Sequence, residues 1–114
     1  MTDLHDIVLQ FDLKGQIESI RPLGNGLIND TYKVNTLDGP SYVLQRINHN
    51  IFRDVELLQN NIVSVTGHIR RKLEAEGVAD IDRKVLTFIP LKNSQVTWYF
   101  DGSSYWRVSL FIEN

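Results

Sequence analysis

Two glycines separated by one asparagine, in the stretch LGNGLINDTYKV from Leu23 to Val34, are the first residues whose spacing suits chemistry. Asn25 followed by Gly26 is a favoured two-residue hairpin turn, because both residues tolerate the positive φ that such a turn requires. The same small residues let backbone amides approach phosphate oxygens closely. Gly24 and Gly26 therefore fit either a plain turn or a glycine hairpin folded over the phosphates of a nucleotide. A dinucleotide-binding fingerprint is not met. Its third glycine is missing, and the alternating run TYKV follows where a helix N-terminus would have to face the pyrophosphate.

A phosphate-covering hairpin needs partners in a fixed chain order: a cation on the third strand, an acid on the helix after it, and a connector for adenine after the last strand. Arg46, in YVLQRIN, is the only cation on the third predicted strand, with Gln45 beside it on the opposite face. Glu56 stands at the start of a long predicted helix, and FIEN, Phe111 to Asn114, comes where the connector belongs. Each has a plain alternative: a solvated strand cation, an acid suited to a helix N-terminus, and an apolar strand end. Their joint order favours the nucleotide reading.

These residues must be positioned by a fold that the hydrophobic pattern outlines. Leu4, Ile7, Val8 and Phe11 recur at helical spacing and predict a short N-terminal helix over residues 2–11, capped by Thr2 or Asp3. Ile17, Ile20 and Leu23 lead into the glycine stretch, and alternation through Tyr32 and Val34 predicts a strand ending at the turn LDGP. SYVLQRI predicts the antiparallel partner. Val55, Leu58, Ile62, Val65, Ile69 and Leu73 then form one stripe of a long helix closed by Gly77. KVLTFIP, QVTWYF and SYWRVSLFI predict three more strands, the last two joined at Asp101 and Gly102. Strands grouped in hairpins predict an α+β fold, an antiparallel sheet of five to six strands with one long packed helix, forming a single domain over residues 1–114.

Composition narrows the partners. The chain has 114 residues with 42% hydrophobic and 23% charged side chains, typical of a globular domain. Twelve basic against fourteen acidic residues leave a net charge of -2, which argues against nucleic acid as a partner. There is no cysteine, which rules out thiolate chemistry and fits a reducing, cytoplasmic setting. No long apolar run or basic leader predicts a membrane partner or export. His5, His49 and His68 lack metal-ligand spacing, and the scattered aspartates suit caps and turns.

GNGLINDTYKV, YVLQRINHNIF and YWRVSLFIEN together resemble the N-terminal lobe of the aminoglycoside phosphotransferase family, small-molecule kinases with a protein-kinase-like fold. The broad marks are the glycine turn, Asn29, Tyr32 and Val34 in the pattern N-x-x-Y-x-V, and the YVL strand. The run LQRINHNIF is similar to the branch that phosphorylates the anomeric hydroxyl of N-acetylhexosamines. The resemblance implies ATP as cofactor, covered by Gly24, Asn25, Gly26 and Asn29, with Arg46 or Gln45 at the phosphate-anchoring position and Glu56 as its helix partner. It implies adenine bonded near Ile112, Glu113 and Asn114. Where the family usually carries Lys or Arg directly after VL, this chain has Gln45; charge favours Arg46 for the role, whereas strand parity favours Gln45.

In such kinases the acceptor base and the carboxylates that hold Mg2+ lie in a second lobe. This chain is expected to be the nucleotide-binding lobe alone, inactive by itself, with the sugar bound through the other lobe. A second reading keeps the lobe's fold as a non-catalytic interaction module, self-associating through the face that would meet the second lobe. Trp98, Tyr99, Phe100, Tyr105 and Trp106 are read as cross-strand packing rather than as stacking platforms for bases.

Overall fold

The computed structural model describes residues 3–23, 31–47 and 54–112. Helix α1 spans Leu4–Val8 and starts at Asp3, whose carboxylate accepts from the His5 amide at 3.1 Å. It is shorter than the predicted residues 2–11. After Val8 the amides of Gln10 and Phe11 bond three residues back, and those of Asp12 and Lys92 tie this segment to Pro90 and Gln10. That tighter exit turns Phe11 inward, against an isolated bridge with Leu91.

Five strands form one antiparallel sheet in the order β1-β2-β3-β5-β4. They are β1 (Ile17–Pro22), β2 (Thr31–Thr36), β3 (Tyr42–Ile47), β4 (Tyr99–Phe100) and β5 (Tyr105–Leu110). The LDGP turn between β2 and β3 is held by the Thr36 hydroxyl, which donates to Pro40 O at 2.8 Å and accepts from the Gly39 amide at 3.1 Å. Glycine is required at 39, because a Cβ there would lie 2.9 Å from the Lys14 carbonyl.

The sheet's two faces differ in chemistry because strand residues alternate. Val34, Tyr42, Leu44, Trp106 and Val108 share one face and form the core with Ile7, Val8 and Phe11. The buried Tyr42 keeps its hydroxyl satisfied by accepting from the Lys14 amide at 3.0 Å. On the other face stand Val43, Gln45, Arg107 and Ser109, paired across β3 and β5 as Val43 with Ser109 and Gln45 with Arg107.

Helix α2 runs Val55–Ala75, capped by Asp54, which accepts from the Leu57 amide at 3.0 Å. At its far end Gly77 has φ 72°, and the Val78 amide reaches back to Leu73 O. The inward side coincides with the predicted apolar stripe only in part: Leu58, Ile62 and Leu73 are half-buried. Val55 and Gln59 are buried, whereas Val65 is 58% and Ile69 43% exposed. The helix faces the polar side of the sheet, so it turns Gln59 toward Arg107 instead of a continuous aliphatic row. Its second half is tied down by Arg70, which pairs with Asp82 at 2.8 Å beside the 3-10 turn Ile81–Arg83 and also bonds the Thr87 hydroxyl.

Two predicted strands are corrected. Residues 84–90 form no regular strand; Phe88 bridges Ser109, with bonds from Ile89 N to Val108 O and Leu110 N to Thr87 O. Only Tyr99–Phe100 of QVTWYF is extended in the sheet. Both segments compete for the same outer edge of β5, which is long enough for each to take only part of it. The aromatics there pack across strands as expected, with Phe100 and Tyr105 ring centroids 4.7 Å apart and Trp98 meeting Tyr105 edge-on at 5.7 Å.

The β4–β5 turn depends on one carboxylate. Asp101 accepts from the amides of Ser103 and Ser104 at 2.8 and 2.7 Å and from the Trp106 indole at 2.9 Å. Burial by itself raises its pKa, but these donors more than offset that, so the group titrates below its ordinary 3.8. A depressed folded pKa gives stability that is complete above the unfolded value and lost as pH falls through the folded one. Asp101→Asn, which removes the charged acceptor of these three donors, is therefore expected to destabilise the chain at neutral pH, with the difference from the parent shrinking as pH falls below 3.8. Urea unfolding across acid pH measures this, and a pH-independent difference would contradict it. No helix among the described residues is long and apolar enough to cross a membrane.

Candidate functional site

On the polar face, the ends of β3 and β5 and the segment before Pro90 border an open groove of about 280 Å³. Val43, Leu86, Phe88 and Ile112 give it apolar walls, and Gln45 and Arg107 give it polar ones. Thr31 also lines it, so the chain re-enters the sheet beside this cleft directly after the glycine stretch. Such a mixture, mostly apolar with few convergent polar groups, is the usual make-up of a small-molecule site.

Arg107 is the chemical centre. Its Nε donates to Gln45 Oε1 at 2.9 Å, and one terminal nitrogen donates to Gln59 Oε1 at 3.0 Å. Gln59, fully buried on α2, donates in turn to the Thr97 hydroxyl at 3.3 Å. The guanidinium lies over the Phe88 ring at 5.4 Å from its centroid. A chain of neutral amides thus links β3, β5, α2 and residue 97 through one cation. Burial lowers the Arg107 pKa, yet a guanidinium starts so high that it stays charged at neutral pH.

Of the expected site residues, Gln45 and Ile112 come together in this cleft. Arg46 does not join them. It is exposed and stands opposite Trp106 in the register, on the alternate face from Gln45. Glu56, the expected helix partner, accepts from the Tyr105 hydroxyl through Oε2 at 3.2 Å. That hydroxyl's pKa is raised, first by desolvation and then by Glu56 and Asp54. The physical reason is parity. With Gln45 facing α2, its neighbour must point away, and no bulge interrupts β3 to change this. Gly24, Asn25, Gly26, Asn29, Glu113 and Asn114 lie outside the described residues.

Arg107, Gln59, Thr97 and Phe88 were not anticipated from sequence. Two sequence features mark them: Arg107 is the one charged residue of β5, between Trp106 and Val108, and Gln59 stands one helical turn after Val55. No family model matches this chain. Among the described residues no group of three His, Asp or Glu is arranged to hold a metal.

Proposed function

We propose that this chain is the nucleotide-binding lobe of a small-molecule phosphotransferase with a protein-kinase-like fold, of the aminoglycoside phosphotransferase type. The observation that carries the proposal is the cleft between Val43, Phe88 and Ile112, with a guanidinium on its wall and the glycine stretch joining the strand that borders it. The apolar walls suit a flat purine. ATP is the cofactor, and its chemistry is the transfer of the terminal phosphoryl group. The acceptor, an N-acetylhexosamine, enters through the resemblance of the LQRINHNIF run, and its binding and the Mg2+ ligands are assigned to a second lobe.

A second reading is an interaction module that keeps this fold without catalysis. It is favoured by the exposed apolar side chains of Leu57, Val65 and Ile69 on α2. Photolabelling with an azido-adenine analogue of ATP separates the two. The nucleotide reading expects label on peptides containing residues 84–92 or 105–112, removed by excess ATP. Label spread over the surface, or unaffected by ATP, would leave the interaction module as the better account.

A further inference from the structure

The sequence pattern assigns the phosphate-anchoring cation to β3, but β3 presents an amide to the cleft and the charge arrives from the neighbouring strand. We infer that Arg107 on β5 is the anion receptor of this chain, held by Gln45 and Gln59 as a neutral clamp, and that its ligand is the phosphate chain of a nucleotide. The identity of the ligand rests on the nucleotide-binding reading; the anion site rests on Arg107 itself.

A guanidinium has five N–H donors. Two are occupied, by Gln45 and Gln59, and both acceptors are uncharged. No carboxylate among the described residues pairs with Arg107. Half-burying a cation without a counter-charge is unfavourable, and proteins normally place a carboxylate beside it. Here both positions that touch the guanidinium carry the amide analogue of glutamate. An amide fixes the guanidinium plane as a carboxylate would, but leaves its positive charge unneutralised and three donors for another acceptor. Planar donors of this kind match phosphate oxygens bidentately. Because Arg107 lines the same cleft as Val43 and Ile112, a ligand seated on those apolar walls brings its anionic group within the receptor's reach.

The test measures binding of ATP, adenosine and inorganic tripolyphosphate to the whole chain by calorimetry, for the parent, Arg107→Met, Arg107→Lys and Gln45→Glu. Arg107→Met is expected to weaken ATP and tripolyphosphate by about tenfold or more, and Arg107→Lys by less. Adenosine affinity stays unchanged in both. Gln45→Glu keeps the guanidinium and its hydrogen bond but supplies the missing negative charge, so it weakens both anions by a similar factor. It also serves if Arg107→Met does not fold. Tripolyphosphate binding that ignores Arg107→Lys and Gln45→Glu, or no anion binding to the parent, overturns the inference. Arg107-dependent tripolyphosphate binding without any ATP or adenosine binding would uphold the anion receptor and remove the nucleotide reading. Adenosine binding with anion-independent ATP binding would do the reverse.

Discussion

Phe11→Ala is expected to destabilise the chain by about 3–5 kcal/mol, the range found when a fully buried aromatic is truncated. Phe11 is 0% exposed and lies among Ile7, Val8, Val34, Tyr42 and Leu44, where it seals α1 and Leu91 onto the apolar face of the sheet. Domains of this size are stable by roughly 5–15 kcal/mol, so the loss removes a large share of the total. The cavity left behind cannot collapse easily, because the strand residues around it belong to β2 and β3, which are fixed in register. Urea midpoints of parent and variant measure it. A loss below about 1 kcal/mol would mean that α1 and Phe11 do not seat on the sheet as described. The cleft lies on the opposite face, so ligand binding by the folded variant is expected to be retained.

Gln45→Lys, which restores a cation directly after VL, is expected to destabilise the protein by about 2–4 kcal/mol. The lysine would replace an acceptor 2.9 Å from Arg107 Nε with a like charge. Part of the cost is lost hydrogen bonding and part is repulsion within a half-buried cluster, where screening is weaker than at the surface. Swinging the lysine outward relieves some of the repulsion, which sets the lower end of the range. Arg107→Gln in the same chain is expected to recover most of the loss, since one cation and one amide are then present again. A double-mutant cycle by urea unfolding measures the coupling. Additive effects of the two substitutions would contradict direct contact between residues 45 and 107.

That substitution also marks where sequence reasoning stopped. The long helix and its Gly77 end, the β2–β3 hairpin and the β4–β5 turn at Asp101 were legible because each is set by local rules of period, capping and turn chemistry. The division of the β5 edge between residues 87–89 and β4 was not legible, because it depends on which distant segment wins the same hydrogen-bonding row. Within the site, Gln45 and Ile112 follow from strand parity and chain order. Arg107 is different: alternation places it on the non-core face of β5, which in an isolated sheet would be solvent. The docking of α2 through Gln59 and the passage of Phe88 over the guanidinium half-bury that face. Arg46 carries the charge that the resemblance asks for, but alternation along β3 puts it on the face opposite Gln45, while Glu56 accepts from Tyr105.

The most direct test of the account follows the Arg107 Nε–H resonance in nitrogen-labelled protein during titration with ATP and, separately, adenosine. The account predicts a saturable shift and slowed hydrogen exchange of that resonance with ATP, while adenosine moves the amides of Val43 and Ile112 and leaves Arg107 nearly unchanged. An Arg107 resonance that stays in place while ATP saturates another part of the chain would contradict it.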